Sequence, residues 1–298
     1  MIFDFRLKVF YSVSQHLNFT KAGQELFISQ PAVTKHIKEL ESQLGVPLFR
    51  RNGSNVSLTP SGEILLQHAK EVFKIYASLE NSLAQVQNPT SGTLRVGASS
   101  TLAQYVLPKI LALFKKANPA VHITFISGNT RFIEKQIIAE ELDIALVEGI
   151  THHPQLAYQP FVKDELVLTV RTKSKWAAKQ EIKLSQLVQI PLVLRESGSG
   201  TLEVILKSLG KEGISLKDLS IDMQLSSTES IKQYIMYTES AAFLSIHAIS
   251  NQLKEKDLSV IDIRGFEIMR TFQFIHLHGL NSHLAEVFKR FCLSHYLL

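Results

Sequence analysis

The spacing of apolar residues changes at Pro89-Thr90-Ser91-Gly92, and this change divides the chain. Residues 1–57 have the pattern of short helices joined by tight turns, and residues 58–88 have that of one long helix. Beyond Gly92, short apolar stretches typical of strands alternate with helical periodicity. Proline, threonine, serine and glycine together are typical of a domain boundary. The sequence therefore predicts a helical domain over 1–59, a linker helix over 60–90 and an α/β domain over 91–298.

The composition narrows the class of protein. The 298 residues, 45% of them hydrophobic, can bury a large core, and the lone Cys292 excludes an intrachain disulfide or a zinc site built from cysteines. No stretch reaches the roughly 18 apolar residues of a spanning helix, and Asp4 precedes any long apolar run, so we expect neither membrane insertion nor a signal peptide. The formal net charge of +5 permits nucleic-acid binding without demonstrating it. A cytoplasmic protein is expected.

Two short helices with distinct faces are predicted in the first domain. Thr20 is the expected N-cap of a helix that ends near Phe27. Ser29 is the expected N-cap of the next helix, Pro31 suits its first turn, and Gly45 suits its left-handed end. One face of the second helix is an apolar stripe, formed by Val33, Ile37, Leu40 and Leu44. A different face carries the polar side chains Gln30, Thr34, Lys35 and Lys38.

The polar face of the second helix has the side chains that read a major groove. Glutamine pairs with adenine, threonine and proline contact a thymine methyl group, and lysine reaches guanine or phosphate. After Gly45, Arg50 and Arg51 enter an Asn52-Gly53 turn, and residues 56–58 alternate as in a strand, which predicts a basic β-wing beside a phosphate backbone. Short helices with polar outer faces also occur without DNA, but their ordered combination with the wing favours DNA binding.

A series of segments in this domain is typical of one family. They are Phe19-Thr20-Lys21-Ala22-Gly23, Leu26-Phe27-Ile28-Ser29-Gln30-Pro31-Ala32-Val33-Thr34, Ile37, Leu40-Glu41, Leu44-Gly45, Leu48-Phe49-Arg50-Arg51 and Leu58-Thr59-Pro60-Ser61-Gly62. Together they resemble the winged helix-turn-helix of the LysR-type transcriptional regulators. Gly23 is a departure, because the family usually has alanine there and glycine softens a helix. The resemblance implies a sequence-specific regulator that binds double-stranded DNA. The expected DNA contacts are Thr20, Ser29, Gln30, Pro31, Thr34, Lys35, Lys38, Arg50 and Arg51.

The long predicted helix keeps a heptad spacing. Its apolar residues are alternately four and three positions apart: Leu65, Ala69, Val72, Tyr76, Leu79, Leu83 and Val86. This seam favours a homodimer, with packing on the chain's own body as the alternative. The LysR resemblance also implies a linker helix that pairs two DNA-binding domains, in a homodimer or in a homotetramer of two dimers. A dimer presents two recognition helices, so the expected operator is an interrupted palindrome.

Polar side chains follow predicted strands in the α/β domain. Ser99, Ser100 and Thr101 come after its first strand, and Glu148 comes after its third. The alternation of strand and helix predicts a parallel, doubly wound, Rossmann-like sheet, in which ligands bind beyond the carboxyl ends of strands. Helix N-termini at that edge offer free N–H groups to anions. We therefore expect an anion-binding site there.

A second unit of the same kind follows. After strands near Glu165–Arg171 and Pro191–Arg195, the segment Glu196-Ser197-Gly198-Ser199-Gly200-Thr201 opens a helix over Leu202–Leu209 that Gly210 is expected to end. Serine and glycine cap helices in most proteins without any ligand, but a second such junction facing the first favours a binding cleft.

The LysR resemblance is looser over 92–298 and rests chiefly on Ser197-Gly198-Ser199-Gly200-Thr201. It implies a two-lobed effector domain similar to periplasmic binding proteins, with lobe 1 at about 91–162 and 266–298 and lobe 2 at about 163–265. Crossings near Phe161–Asp164 and Arg264–Phe266 would make it a hinged clamp. Leu202 and Thr238-Glu239-Ser240-Ala241 depart from the family pattern.

A small anionic metabolite is expected to close the two lobes and to alter the spacing of the DNA-binding domains. Its expected contacts are Ser99, Ser100, Thr101, Glu148, Ser199 and Thr201.

Other classes of function have less support. The sequence lacks a nucleophile elbow, a zinc-binding helix motif, a Walker A loop and a dinucleotide fingerprint, which argues against an enzyme. His152-His153 and the pair His276 and His278 have no cysteine or carboxylate at ligand spacing, so no metal or cofactor is expected. The main alternative is a solute-binding receptor whose N-terminal helices serve only for interaction or dimerisation.

Overall fold

The computed structural model describes residues 4–52, 55–87, 91–179, 181–279 and 282–296, with side chains for all of these except 51, 52, 55, 74, 77, 78 and 80–87. Its contacts divide the chain into two compact units, Met1–Pro89 and Thr90–Leu298.

The N-terminal unit consists of helices and one small hairpin. In chain order these are α1 (Phe5–His16), α2 (Phe19–Leu26), α3 (Gln30–Leu44), β1 (Phe49–Asn52), β2 (Asn55–Leu58) and the long α4 (Pro60–Gln87). The first three helices pack around one core, whose buried members are Val9, Phe10, Val13, Phe19, Ala22, Val33, Ile37, Leu40, Leu48 and Phe49. The predicted stripe of α3 is thus buried except at its last residue, Leu44, which is 48% exposed.

Local capping explains where these helices begin. The predicted cap Ser29 accepts a hydrogen bond from the Ala32 amide at 3.3 Å, and Gly45 ends α3 with a left-handed φ of 70°, so both predictions are confirmed. The prediction for Thr20 is wrong. Asn18 caps α2 instead, because its side-chain oxygen accepts from the amides of Thr20 and Lys21 at 2.9 and 3.0 Å. Asparagine and threonine are both good caps, so the sequence alone did not separate them.

The α2–α3 turn is tight, and Gly23 makes it so. The Ile28 amide donates to the Gly23 carbonyl at 2.9 Å. A Cβ at position 23 would lie 2.8 Å from the Ile28 carbonyl oxygen, closer than real contacts allow. The glycine that departs from the family pattern therefore admits a close approach between α2 and the start of α3.

Helix α4 carries the predicted heptad seam. Ala69 is buried, and Leu65 packs against the core of the N-terminal unit. Val72 and Tyr76 are half-buried, whereas Leu79 is 39% exposed. The side chains of Leu83 and Val86 lie outside the described residues. The first turns of the seam thus pack on the chain's own body, and dimerisation through the remainder stays a prediction.

The C-terminal unit alternates strands and helices. Its first part contains β3 (Gly92–Ser99), a π-helical turn (Leu102–Val106) that runs into α5 (Leu107–Ala117), β4 (Val121–Gly128), α6 (Thr130–Ile138), β5 (Ile144–Val147) and β6 (Leu156–Arg171). Its second part contains β7 (Glu181–Ile182), α7 (Leu184–Leu187), β8 (Leu192–Arg195), α8 (Gly200–Lys211), β9 (Ile221–Leu225), α9 (Thr228–Met236), β10 (Ala242–Ser245), α10 (Ile246–Glu255) and β11 (Leu258–Ile263). The strand β12 (Ile268–Leu277) and the helix α11 (His283–His295) end the unit.

The strands form a mixed sheet that includes the predicted parallel strands. Its order is β4-β3-β5-β12-β6-β11-β7, with β10 also paired to β6, and β8 and β9 form a separate two-stranded sheet. The pairs β3–β4 and β3–β5 are parallel, whereas β12 runs antiparallel to both β5 and β6. The parallel arrangement predicted from β3, β4 and β5 is thus confirmed, and the antiparallel pairs come from the long return strands β6 and β12, whose direction follows from pairing partners distant in sequence.

Two lobes share this sheet. Lobe 1 contains β3–β5, α5, α6 and α11, and lobe 2 contains β7–β11 and α7–α10, and each lobe has two buried apolar clusters of its own. The 16-residue β6 extends from one lobe into the other, and β12 pairs with it from Ile268 to Leu277. The predicted crossing near Phe161–Asp164 lies within β6, whereas Arg264–Phe266 precedes β12, which pairs with that part of β6 only from Arg270 onwards. The register of the two strands shifts between Phe272 and Gln273, as at a β-bulge.

Candidate DNA-contacting surface and interlobe cleft

The exposed face of α3 carries the polar residues that the sequence predicted. Gln30, Lys35 and Lys38 are exposed, while Thr34 is half-buried. The Gln30 side-chain amide donates to the Thr34 hydroxyl at 3.0 Å, so the two side chains are held together before any ligand arrives. Of the other predicted contacts near α3, Thr20, Ser29 and Pro31 are also exposed.

The wing is anchored to α3 by one carboxylate. The side-chain oxygen Oε1 of Glu41 accepts from the Leu48 and Phe49 amides at 2.7 and 3.3 Å. In the β1–β2 hairpin, Arg50 pairs with Ser57 and Arg51 with Val56. The side chain of Arg50 is exposed, and that of Arg51 lies outside the described residues. Glu41 was noted only as part of the family motif, because its partners become visible only in the folded chain.

In the C-terminal unit, three of the predicted hydroxyl groups donate to the Glu148 carboxylate. Ser99 donates to Oε2 of Glu148, and Thr101 and Thr201 donate to its Oε1 at 3.4 and 3.1 Å. All four side chains are buried. The predicted residues thus converge as expected, but their hydroxyl groups are directed at a carboxylate of the protein itself.

A buried ion cluster lies beside this network. On the paired strands β12 and β6, Nε of Arg270 donates to Oδ2 of Asp164 at 2.6 Å, and Nη1 donates to the Thr201 hydroxyl at 2.8 Å. The same Nη1 is 3.7 Å from Glu148, and Ser245 donates to Asp164 at 2.7 Å. The side chains of Arg270, Asp164 and Glu148 are at most 2% exposed. Two buried carboxylates therefore share one guanidinium, and neither Arg270 nor Asp164 was among the site residues predicted from the sequence.

A second buried arginine bridges the lobes. Arg195, at the carboxyl end of β8, is 3% exposed and donates from Nε to Glu196 at 2.9 Å. Its Nη2 lies 3.4 Å from the Ser100 hydroxyl of lobe 1, and its Nη1 lies 3.4 Å from the Thr228 hydroxyl of lobe 2. Ser100 itself donates to the Gly128 carbonyl at 3.1 Å. Of the predicted effector contacts, Ser100 thus lies beside Arg195, whereas Thr201 and Glu148 lie beside Arg270.

Several helices begin around Arg195. Asn129 caps α6, Ser199 caps α8 and Ser227 caps α9, each through its side-chain oxygen. The predicted end of α8 at Gly210 is wrong, because the helix continues to Lys211. Helix N-termini carry partial positive charge, so this corner of the cleft favours anions more than the Glu148 network does.

Tyr105 joins lobe 1 to lobe 2 on the same side of the cleft. It lies in the π-helical turn and donates to Glu229 of α9, while the Lys232 ammonium is 5.0 Å from the centre of its ring. Burial and the neighbouring Glu229 carboxylate raise the pKa of Tyr105, which therefore stays protonated and remains a donor. Burial would raise the pKa of Glu229, but Tyr105 and Lys232 together lower it.

An open groove of about 310 Å³ lies between α6 and α8. Arg131, Glu134, Thr151 and Glu203 are among its lining residues. Burial raises the pKa of Glu134 above its usual value of 4.5, and the Tyr158 hydroxyl donates to that carboxylate at 2.8 Å.

Among the described residues, no three histidine, cysteine or acidic side chains are grouped to hold a metal. None of the described helices has the length and apolar character needed to cross a bilayer.

Both units of the chain match models of known protein families. The family model "Bacterial regulatory helix-turn-helix protein, lysR family" matches residues 5–63, and "LysR substrate binding domain" matches residues 87–297. The chain is 31% identical over 291 residues to "HTH-type transcriptional regulator CysL" of Bacillus subtilis (strain 168), covering 97% of this chain and 96% of that protein. It is 32% identical over 273 residues to "Probable RuBisCO transcriptional regulator" of Phaeodactylum tricornutum, covering 91% and 89%.

Solved structures show the same fold. Full-length CbnR complexed with its target DNA has a TM-score of 0.71 at 18% identity, covering 99% of this chain and 100% of CbnR. The regulatory domain of Synechocystis PCC6803 CcmR in complex with 2-PG has a TM-score of 0.63 at 25% identity, covering 68% of this chain and 97% of that domain. The two family models and the relatives above 30% identity together show that the chain belongs to the LysR family of transcriptional regulators.

Proposed function

We propose that this regulator responds to a small anionic metabolite held at Arg195, in the corner of the cleft where Ser100 and Thr228 meet. The observation that carries the proposal is a buried guanidinium whose two Nη groups face hydroxyl groups of different lobes. An anion placed there is held by both lobes at once. Its binding therefore favours the closed arrangement of the lobes over an open one.

The hydrogen-bond geometry leaves capacity for such a ligand. The two contacts of the Arg195 Nη groups with hydroxyl groups measure 3.4 Å, longer than the usual 2.7–3.2 Å of strong N–H···O bonds, and Nη2 also donates to the Glu196 carboxylate at 3.2 Å. Guanidinium groups bind carboxylate and phosphate through two parallel hydrogen bonds, which are shorter and stronger than these contacts. An oxyanion between Arg195 and the two hydroxyls would replace weak bonds by charge-assisted ones.

The Glu148 carboxylate limits where an anion can bind in the cleft. Because Ser99, Thr101 and Thr201 already donate to its carboxylate, an anion that contacts those hydroxyls must displace Glu148 or lie beside it against like charge. The predicted contacts from Ser99, Thr101, Glu148, Ser199 and Thr201 therefore form the wall of the proposed site, and Ser100 contacts the ligand directly.

A related solved structure indicates the chemical class of the ligand. The CcmR regulatory domain, 25% identical to this chain, was solved in complex with 2-PG. We use 2-PG, inorganic phosphate and sulfate as probes for this chain, since each presents oxyanion oxygens to a guanidinium.

The test compares the thermal unfolding of the full chain with and without each probe. A ligand at about 100 times its Kd stabilises the folded state by about 2.7 kcal/mol, which for a domain of this size raises the midpoint by about 5–10 °C. We expect Arg195→Gln to lose this gain. The matched control is Arg264→Gln, which removes a largely exposed arginine paired with Glu181. Equal gains in wild type and Arg195→Gln, or no gain with any probe, would contradict the proposal.

On the DNA side, we propose that α3 enters the major groove through Gln30, Pro31, Thr34, Lys35 and Lys38, with Thr20, Ser29, Arg50 and Arg51 on the phosphates. The pairing of Gln30 with Thr34 supports this, because a preorganised side chain loses less freedom on binding. Two copies joined through α4 would read an interrupted palindrome. We further propose that the chain acts in the cytoplasm, where it regulates transcription without catalysing a reaction.

A further inference from the structure

The turn between α2 and α3 exposes an aromatic ring almost completely. Phe27 is 95% exposed, the highest value among the large apolar side chains that the structure describes. Its neighbours Leu26 and Ile28 both pack against the core of the N-terminal unit. Single exposed apolar residues are common at surfaces, so the exposure alone carries no function.

The backbone at Phe27 supplies a second, independent observation. Its φ of 56° and ψ of 39° place it in the left-handed region, which bulky residues rarely adopt. The Phe27 amide donates to the Gln24 carbonyl at 3.3 Å, and the next amide donates to Gly23 at 2.9 Å. These bonds fix the turn, so the ring is held outward by a rigid backbone. A strained backbone that presents a solvated ring points to a partner for that ring.

The position of Phe27 identifies the partner. Two residues later, Ser29 caps α3, and Gln30 and Pro31 are exposed at the same end of that helix. Recognition helices of this kind place their N-terminal residues against base edges in the major groove. The ring therefore lies at the border of the surface that faces DNA.

We propose that Phe27 contacts the operator and reads one thymine through its methyl group, an inference that rests on α3 being the recognition helix. Thymine is the base that presents an apolar group in the major groove, and phenylalanine is among the side chains that contact it. Phosphate oxygens offer a phenyl ring no comparable contact. The ring and the methyl group would shield each other from water only in the specific complex.

The experiment starts from an operator selected from genomic DNA by the wild-type protein at physiological salt. Each thymine of a half-site is then replaced by deoxyuracil, which removes only the methyl group, and Kd is measured for four proteins. These are the wild type, Phe27→Ala, Phe27→Asn and the control Leu44→Ala. Asparagine adopts the left-handed backbone readily, so Phe27→Asn separates loss of the ring from a change of the turn. Leu44 is 48% exposed at the opposite end of α3.

We expect one deoxyuracil to weaken wild-type binding about fourfold, the factor that one buried methyl group contributes to an equilibrium. Both Phe27 variants should bind the natural operator about tenfold more weakly and no longer distinguish that thymine from deoxyuracil. Leu44→Ala should behave as the wild type.

Three results would overturn the inference. Phe27 variants with full affinity would show that the ring touches no DNA. Uniform weakening on all sequences, with the methyl preference retained, would show a contact without thymine reading. A changed oligomeric state of the variants would show that the ring contacts a second copy of the chain. Failure of the wild type to select any sequence would instead refute the proposed role of α3.

Discussion

Replacing Arg270 by methionine tests the buried ion cluster at the boundary between the lobes. The substitution keeps a long apolar stem and removes the charge that Asp164 and Glu148 share. Because the side chains of Asp164 and Glu148 are at most 2% exposed, neither remaining carboxylate can turn to water without opening the sheet. Removing one partner of a buried pair costs about 3–5 kcal/mol, since the other charge stays buried without compensation.

For a domain of this size, that cost corresponds to a fall in the unfolding midpoint of about 6–20 °C. Trp176 is the only tryptophan of the chain and is buried in the core of lobe 2. Its fluorescence therefore reports the unfolding of the C-terminal unit within the full-length protein, without a contribution from the N-terminal unit.

Two further variants make the test specific. Arg264→Met removes an arginine that is 68% exposed and paired with Glu181, and such surface pairs contribute at most about 1 kcal/mol. Adding Asp164→Asn to Arg270→Met removes one of the orphaned charges and should recover part of the lost stability. If Arg270→Met cost no more than Arg264→Met, or if the second substitution recovered nothing, the account of the cluster would be wrong.

Three other outcomes are expected. Thr34→Ala should relax sequence preference, whereas Arg51→Ala should weaken binding to all duplexes and reduce the slope of log affinity against log salt by about one, both measured by binding titrations. Gly200→Ala should lower the midpoint of tryptophan fluorescence unfolding, because its Cβ would overlap a backbone carbonyl of lobe 1. Gly210→Ala in the same helix meets no atom and should be neutral or stabilising by about 0.5–1 kcal/mol. Glu134→Gln should raise the midpoint at neutral pH, and the gain should vanish as the pH falls to the usual carboxyl pKa of 4.5, because burial penalises only the charged form.

Each of these has a contrary result. Equal effects of Thr34→Ala and Arg51→Ala on every sequence would exclude base reading by Thr34. A Gly200→Ala protein as stable as Gly210→Ala would mean that the lobes adjust to the added methyl at no cost. The folded-state pKa of Glu134 is raised, so stability is lost as this group ionises. A gain from Glu134→Gln that grew towards acid would reverse that sign and refute the argument.

The N-terminal unit was predictable because its determinants are local. Ser29, Pro31 and Gly45 each specify backbone conformation within a few residues, and the apolar stripe of α3 follows from helical spacing alone. The one cap that was wrong, Thr20 in place of Asn18, is an error of two residues between side chains of similar capping strength. Phe27 was passed over because sequence gives no measure of how exposed a ring will be.

The interlobe cleft was predictable only in part. Serines and threonines at the ends of strands predicted a polar site, and Ser99, Thr101 and Thr201 do converge on Glu148. The sequence could not show which group each of these side chains contacts. Arg270 and Asp164 are 106 residues apart and meet only through the register of β6 with β12. Long antiparallel pairings of this kind leave no local signature.

The paired strands β6 and β12 also limit how the effector domain can signal. Backbone hydrogen bonds continue across the boundary between the lobes, so a wide swing of one lobe would have to break part of this ladder. Twisting the two strands together preserves those bonds, and the bulge between Phe272 and Gln273 provides a place where the twist can concentrate. We therefore expect the response to a ligand to be a torsion of small amplitude, whose size depends on how stiff this strand pair is. Substitutions at the bulge should therefore tune the strength of regulation without touching either ligand or DNA.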